Sequence, residues 1–339
     1  MDYQHRSVLL QEVIQQLAPQ KNQNYIDCTL GGGGYSEAIL RKNGPHGKVL
    51  ALELDERAIL HSVQKLKKYK DRLIIVHDNF VHLKSAVEKN RDKLGEISGI
   101  VFDLGLSSDQ LDQAGRGFSF KDSADLDMRF DAQNQKLTAS DIVLNFSEKQ
   151  IEKILREYGE EVKSKKIASG LIAWRQLNKQ KQKFVKTSML VSVILRILNI
   201  KETDLPKFRR HPLTKVFQAL RLEVNQELAN LQLALPQAID ILAPGGHLAV
   251  VSFHSLEDRI VKNFFKEQTG LCQCPPDSPI CVCDRQASLK VLTKKPIKPS
   301  PQEIKDNPRC RSALLRVAQK IHPVNEKYNP QGYRPVGEK

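Results

Sequence analysis

The chain has 339 residues, of which 40% are hydrophobic, and carries a formal net charge of +14 at pH 7. This length suits one large domain or a domain with an insertion, and the apolar fraction is enough for a real core. No apolar run approaches the roughly 20 residues that span a bilayer, and the start, MDYQHRSVLLQEV, lacks a signal-peptide pattern. The composition argues against a membrane-spanning or secreted protein, and we expect a soluble, cytoplasmic one.

The first third of the chain alternates predicted strands with predicted helices. NYIDCTL reads as a buried strand that enters a glycine turn, and the helix SEAILRKNG follows and ends near Gly44. Further strands are predicted at GKVLALELD, DRLIIVHDNF and ISGIVFDLGLSS, with helices at ERAILHSVQKLKKY and HLKSAVEKN. This alternation predicts an α/β fold whose parallel sheet is flanked by helices.

The alternation stops after the fourth strand. Residues 109–206 contain no convincing strand and three helical patterns, SEKQIEKILREYGEE, VKSKKIASGLIAWRQLNK and TSMLVSVILRILNI. The first begins at Ser147, a good N-cap residue. We predict an all-helical insertion at 109–206 and a discontinuous α/β domain at 1–108 and 207–339.

The α/β pattern resumes toward the carboxyl end. The stretch from Thr214 to Leu242 predicts one long helix, or two helices broken before Pro236. A strand, HLAVVSF, and a helix with Ser255 as its N-cap follow, and RSALLRVAQKI reads as a last strand or edge element.

Basic residues are concentrated in two stretches. Residues 163–186 hold eight basic residues and no acidic one, and residues 285–339 hold 13 basic and four acidic residues. Single lysines are usually solvated surface, but two basic stretches favour a nucleic-acid partner.

Four cysteines form a C-x-C-x6-C-x-C pattern in CQCPPDSPICVC. They are Cys272, Cys274, Cys281 and Cys283. In an intracellular chain this suggests a metal more than disulfides, although structural zinc sites usually have C-x2–4-C spacing. The alternatives left open are a zinc site and a reduced, proline-rich loop.

The glycine turn is followed by an acid at the end of the second predicted strand, as in nucleotide-cofactor sites. Glu53 stands 20 residues after Gly33, a spacing at which an acid can accept hydrogen bonds from ribose hydroxyls. The strict dinucleotide fingerprint is absent, because Ser36 occupies its third glycine position. This favours adenosine with a charged methionine tail over NAD. Asp27 has two interpretations, a contact to the cofactor ammonium or hydrogen bonds to the glycine-loop amides.

Longer motifs closely resemble one enzyme family over most of the chain. They are HRSVLLQEV, YIDCTLGGGGYSEAIL, VFDLGLSSDQLDQAGRGFSF, LDMRFD, ALRLEVNQELANL, APGGHLAVVSFHSLEDRIVKNFF and NPRCRSALLRV. They resemble the S-adenosylmethionine-dependent methyltransferases that modify N4 of a cytosine in 16S ribosomal RNA of the small subunit. The resemblance implies a class I (Rossmann-like) methyltransferase sheet with a helical RNA-recognition insertion. It leaves the oligomeric state open, with a homodimer as one option.

The resemblance also assigns site residues. The implied cofactor contacts are Gly33, Gly34, Tyr35, Glu53, Phe80, Asp103 and Gln110. The chain departs from the family pattern at Tyr35, commonly His, and at Glu53, commonly Asp. Our hypothesis for the reaction is that the end of the fourth strand, with Asp103, Ser107 and Ser108, holds the target amine. The resemblance favours a substrate-side role for His254, whereas Glu257 and Asp258 fit a structural role in a first helical turn.

Three aromatic residues in or near the insertion have competing interpretations. Phe118 and Phe120 flank a serine beside Arg116, and we expect one ring to anchor the loop and the other to face the substrate. Trp174 either lines an RNA groove or packs in the core of the insertion. Two other functions stay open from the sequence: an RNA-binding assembly factor without catalysis, and a nicotinamide oxidoreductase.

Overall fold

The computed structural model describes residues 7–106, 115–120, 123–178, 184–208, 210–270 and 287–321. Within these residues the chain forms two compact units. The helical unit lies within Leu106–Ala229, and the sheet unit runs up to Gly105 and resumes at Asn230. The candidate functional site described below lies in the sheet unit.

The sheet unit contains a seven-stranded sheet in the order β3-β2-β1-β4-β5-β7-β6. The strands are β1 (Asn24–Asp27), β2 (Val49–Glu53), β3 (Leu73–His77), β4 (Ile97–Asp103), β5 (Leu242–Ser252), β6 (Leu289–Val291) and β7 (Leu314–Lys320). Strands β1 to β5 pair in parallel, and β7 pairs antiparallel with both β5 and β6. Two separate runs of chain therefore complete one sheet, as the resemblance to class I methyltransferases predicted.

The parallel strands β1 and β2 are buried on both faces of the sheet, as is usual for parallel strands. In β1, Tyr25 packs in one core cluster and Ile26 in another on the opposite face. In β2, Val49 and Leu50 alternate in the same way, and both are fully buried. Helices cover the two faces and leave the strand ends as the accessible edges of the sheet.

The α-helices in the described residues carry labels in chain order. They are α1 (Leu10–Leu17), α2 (Gly34–Lys42), α3 (Glu56–Lys65), α4 (Leu83–Glu88), α5 (Ala139–Asn145), α6 (Glu148–Glu157), α7 (Ser164–Leu177), α8 (Thr187–Leu198), α9 (Thr214–Asn225), α10 (Glu227–Ile241), α11 (Ser255–Glu267) and α12 (Pro301–Asp306). Short 3₁₀ helices lie at Lys67–Tyr69, Phe80–His82, Glu202–Lys207 and Pro308–Ser312. No helix in these described stretches is both long enough and apolar enough to cross a membrane.

The helical unit ends later than the predicted boundary at residue 206. It continues to Ala229 because α9 buries Val216, Phe217 and Leu220 in the helical core. The sequence analysis also missed α5, whose start is fixed by a capping box between Thr138 and Asp141. The predicted cap at Ser147 is confirmed, since its side chain accepts a hydrogen bond from the Gln150 amide.

Three further predictions need correction. The long helical pattern breaks at Gln226, which takes a left-handed conformation with φ of 51°, whereas Pro236 lies inside α10. The N-cap of α11 is His254 rather than Ser255. The stretch RSALLRVAQKI contains β7, the last strand in the described residues, as one of its two interpretations predicted, but β7 is not an edge, because the unpredicted strand β6 pairs on its outer side.

The aromatic side chains of the helical unit serve its core. Phe118 is 6% exposed, and Phe120 stacks on His211 with ring centroids 4.5 Å apart. Both rings contact the helical core, but Phe120 is only partly buried, so the expectation that one of the two rings faces the substrate stays a prediction. Trp174 packs against the same core, which supports the core interpretation of this residue.

Candidate functional site

Three acids meet at the carboxyl edge of the sheet. Asp27, Glu53 and Asp103 end β1, β2 and β4, which are neighbours in the sheet. The Asp103 amide donates to Thr29 Oγ1 at 2.7 Å and so links the end of β4 to the segment after β1. Parallel strands present their carboxyl ends at one edge, where α/β proteins bind ligands. The acids predicted from separate motifs therefore belong to one site.

The glycine turn between β1 and α2 is tied to the second strand by Glu53. The Gly31 amide donates to Glu53 Oε2 at 2.7 Å, and the other carboxylate oxygen accepts from the amides of Leu54 and Asp55. The side chain of Glu53, one methylene longer than that of an aspartate, thus reaches from β2 to the turn. Burial raises the pKa of Glu53, and its three hydrogen bonds from backbone amides lower it.

The other face of the turn is fastened to α3. Ser62 Oγ donates to the Gly31 carbonyl at 2.8 Å, and Lys65 Nζ donates to the Gly32 carbonyl at 2.7 Å. Gly33 has a φ of 71°, a conformation that suits glycine, and it caps the amino end of α2. These contacts fasten the turn to α3 on this side.

The segment Ser7–Leu9 lies directly on this turn. The buried Tyr35 hydroxyl donates to the Val8 carbonyl, and a Cβ placed on Gly34 would lie 2.1 Å from Ser7 Oγ. The Leu9 amide donates to Glu303 Oε1 of α12 at 2.7 Å, which ties the segment to a distant part of the chain. Tyr35 therefore uses its side chain to hold the segment.

We expect Gly34→Ala to weaken S-adenosylmethionine binding and to lower the melting temperature, because the added methyl overlaps Ser7. Ser7→Gly in the same chain removes the overlapping atoms and should restore most of the cofactor affinity and most of the melting temperature. Calorimetry and a thermal melt on wild type, both single variants and the double variant measure this coupling. Additive losses in the double variant would show that Ser7 does not lie on the turn.

Asp27 is the most deeply buried acid of the site, with 0% of its surface exposed. It accepts hydrogen bonds from the Thr29 amide at 3.2 Å and from Ser36 Oγ at 2.7 Å. Of its two predicted roles, the structure favours bonding to the loop, because the carboxylate has no exposed surface. Burial raises the pKa of Asp27 from 3.8 to about 6.

This raised pKa gives a pH-dependent stability prediction. The folded chain binds the Asp27 proton more tightly than the unfolded chain, so protonation of Asp27 stabilises the fold. This stabilisation is complete below about pH 4 and is lost as the pH rises through about 6. Asp27→Asn should therefore exceed wild type in unfolding free energy by about 2–3 kcal/mol at pH 7.5. The advantage should shrink at pH 4.5, as urea unfolding at both pH values would test. An equal advantage at both pH values would contradict this account.

Asp103 is the acid of this edge whose surroundings best suit a bound cation. In the described part of the chain its Oδ1 is buried and has no hydrogen-bond partner. Burial raises the pKa of Asp103 well above its usual range, and the nearby carboxylates of Asp27 and Glu257 raise it further. The Tyr35 hydroxyl acts in the opposite direction. A buried carboxylate in such surroundings is stabilised in its charged form by a bound cation.

Phe80 supplies an apolar wall beside these acids. It begins the 3₁₀ helix after β3 and packs edge-on against Phe102 of β4, with ring centroids 5.6 Å apart. The packing fixes the position of the Phe80 ring, which is only partly buried and so offers apolar surface to a ligand.

The first turn of α11 borders the site with structural contacts. His254 Nδ1 accepts from the Glu257 amide at 3.4 Å, and Glu257 Oε2 accepts from the Phe253 amide at 2.8 Å. Asp258 forms a two-bonded ion pair with Arg316 of β7, at 2.6 and 2.9 Å. The structural roles predicted for Glu257 and Asp258 are confirmed. The substrate-side role of His254 stays a prediction.

Comparison with known families decides between the nucleotide-cofactor alternatives. The model of the MraW methylase family matches residues 2–321. This chain belongs to the MraW methylase family. Family membership removes the nicotinamide oxidoreductase from the alternatives and agrees with the missing dinucleotide fingerprint.

Curated relatives match this family member along nearly its whole length. A protein of Heliobacterium mobile named "Ribosomal RNA small subunit methyltransferase H" is 47% identical, over 95% of this chain and 100% of its own. A protein of the same name from Carboxydothermus hydrogenoformans is 43% identical, over 95% of this chain and 99% of its own.

Among solved structures, an rRNA methylase from Streptococcus thermophilus aligns with a TM-score of 0.42 and 11% identity. The alignment covers 94% of this chain and 98% of that one. This similarity is too low to carry an argument.

The structure brings most of the predicted site residues together. Gly33, Gly34, Tyr35, Glu53 and Asp103 share the turn and the strand ends described above. Ser107, Ser108 and Gln110 lie outside the described residues. So do Cys272, Cys274, Cys281 and Cys283, and in the described ranges no group of His, Cys, Asp and Glu suits a metal ion.

The sequence analysis missed the supports that fasten the glycine turn. These are Ser62 and Lys65 on α3, and the pairing of Leu9 with Glu303. Their partners are 31, 33 and 294 residues away in the chain, respectively. No local spacing signals such contacts.

Proposed function

We propose that this chain transfers the methyl group of S-adenosylmethionine to the exocyclic N4 of a cytosine in 16S ribosomal RNA. The observation that carries the proposal is the match, over 95% of the chain, to relatives named for ribosomal RNA small-subunit methylation. An assembly factor without catalysis fits less well, because the glycine turn and all three edge acids are present.

The residues at the sheet edge fit this cofactor. Asp103 Oδ1, which has no hydrogen-bond partner among the described residues, suits a cationic ligand, and S-adenosylmethionine carries both a sulfonium and an ammonium group. The backbone of Gly33 and Gly34 leaves room for its methionine end, Glu53 would take the ribose, and Phe80 would lie against the adenine. Tyr35 and Gln110 complete the proposed set. The bound cofactor supplies an electrophilic methyl group.

The protein's part in the reaction is to orient a weak nucleophile. The lone pair of cytosine N4 is delocalised into the ring, so the amine must be held in line and its protons accepted as charge develops. The anchored backbone after β4 supports this proposal, since the Leu104 amide donates to the Val251 carbonyl at 2.9 Å. Gly105 follows with a φ of 89° and turns the chain at the edge. We assign the amine contacts to Leu104–Ser108, with His254 bordering the substrate side.

We assign RNA recognition in part to the helical insertion, within residues 109–206. Lys163, the N-cap residue of α7, and Lys165 and Lys166 in the first turn of this helix are exposed, while Ser164 and Ile167 are buried. The side chains at this helix start thus offer three positive charges to a polyanion. We propose the cytoplasm and the small ribosomal subunit as the setting.

Two measurements test the function. Calorimetry should show binding of S-adenosylmethionine and no binding of NAD. Tritiated methyl groups should pass from the cofactor to 16S RNA in small subunits that lack this modification. Cofactor binding with no transfer to either free RNA or subunits would favour the assembly-factor alternative.

A further inference from the structure

The chain after the helix α11 returns to the sheet with a strong excess of positive charge. Residues 287–321 contain nine basic and two acidic residues. Six of the basic residues lie between β6 and β7 and are exposed, and one of them, Lys305, belongs to α12. The other five, which we call the basic rim, are Lys294, Lys295, Lys298, Arg309 and Arg311. Four of the five, all except Arg309, form no ion pair within the described part of the chain.

The register of the sheet brings the basic rim to the carboxyl edge. Strand β7 runs antiparallel to β5, so its first residue, Leu314, pairs with Ser252 at the end of β5. Arg309 and Arg311 immediately precede β7 and therefore lie at that edge. Ile297 exchanges two backbone hydrogen bonds of 2.9 Å with Leu315, which places Lys298 there as well.

The same pairings give the distance to the site. Leu315 pairs with Val251, and Val251 pairs with Asp103. Ile297 is therefore three strand spacings, or about 14 Å, from the backbone of Asp103. A nucleotide that flanks the target base would span a distance of this order.

The rim is a fixed surface because its backbone is anchored. Between the two arginines Cys310 is fully buried, and Ala313 after them is 1% exposed. Thr293 Oγ1 accepts from the Val317 amide at 2.8 Å and holds the start of the lysine-bearing segment. The charged side chains thus point to solvent from a backbone packed against the core.

We propose that the basic rim docks the sugar–phosphate backbone of the RNA substrate next to the reacting cytosine. The inference rests on the proposed function and names the surface that positions its substrate. Enzymes that act on a single base take contacts to the flanking nucleotides as well as to the base. Lysine and arginine at an anchored edge supply such contacts without reading sequence.

A matched pair of variants tests the proposal. The rim variant carries Lys294→Gln, Lys295→Gln, Lys298→Gln and Arg311→Gln. The control carries Lys21→Gln, Lys89→Gln, Arg91→Gln and Lys93→Gln, which removes four exposed charges near the opposite edge, before β1 and β4. Both variants keep every residue assigned to the cofactor site. Calorimetry with S-adenosylmethionine checks that each remains folded and competent.

Affinity for a transcript of 16S ribosomal RNA is then measured at several salt concentrations. The rim variant should bind the RNA about tenfold more weakly than wild type. The slope of its log binding constant against log salt concentration should be smaller by about three, and the control should change little in either respect. Methyl transfer at saturating RNA should stay within about twofold of wild type, since phosphate contacts position the substrate. Equal losses in the two variants would overturn the proposal.

The outcomes separate this proposal from the proposed function. If wild type methylates the RNA and the rim variant binds like wild type, the rim is not the docking surface and the function stands. If wild type binds RNA but transfers no methyl group, the function fails and the two variants still decide the role of the rim. A loss seen with assembled subunits but not with the transcript would indicate an acidic protein partner and overturn the proposal.

Discussion

Replacement of Asp103 by alanine is expected to slow methyl transfer by about 10²–10³-fold. The carboxylate lies at the end of β4 with one buried oxygen that lacks a partner in the described residues. It is the group at this edge best suited to a cationic cofactor, and the backbone that follows it is our candidate for holding the amine. Initial rates with saturating RNA and varied S-adenosylmethionine measure the loss. An alanine variant with full activity would remove this strand end from the mechanism.

Asp103→Asn is the control that separates function from folding. The pKa of Asp103 is raised because its charged form is disfavoured in the folded chain, so a neutral amide of the same shape should fold at least as stably. The amide cannot balance a cation, and cofactor affinity should fall with activity. A variant that loses stability instead would indicate that the carboxylate supports the fold.

Replacement of Arg316 by alanine should lower the free energy of unfolding by about 3 kcal/mol. Its two hydrogen bonds to Asp258 join β7 to α11, and both side chains are largely buried. Removing the arginine leaves a carboxylate without its counter-charge. Denaturant unfolding followed by circular dichroism suits this test, because the single tryptophan, Trp174, lies in the helical unit.

The double variant Asp258→Ala/Arg316→Ala gives the matching control. Once the carboxylate is also removed, no buried charge is left unpaired, so the double variant should be less destabilised than the sum of the two single variants. A sum that is simply additive would show that the ion pair does not couple the helix to the strand.

Local sequence patterns predicted most of the sheet unit. Apolar stretches that end on Asp27, Glu53 and Asp103 became β1, β2 and β4, because their residues are buried on both faces of a parallel sheet. The local patterns failed where tertiary contacts determine the secondary structure. The three-residue strand β6 exists only because β7 pairs with it, and the helix break at Gln226 carries no glycine or proline signal.

The candidate site also combines features that local sequence predicts with features that depend on tertiary contacts. The glycine turn and the edge acids follow from short motifs, whose residues are close in the chain or at equivalent strand ends. The support of the turn by Ser7–Leu9 and Glu303 joins opposite ends of the chain, and only the folded structure reveals it. The sequence alone shows the charge of the basic rim. Its position at the carboxyl edge of the sheet depends on the register of β7, which only the structure gives.

The central claim is tested most directly by identifying the methylated nucleoside. Small subunits that lack the modification are incubated with the purified chain and tritiated S-adenosylmethionine, and the 16S RNA is digested to nucleosides and separated. The account predicts that the label co-migrates with N4-methylcytidine and that Asp103→Ala lowers the rate of labelling by about 10²–10³-fold. Label in any other nucleoside, or no label in RNA while the cofactor binds, would contradict the account.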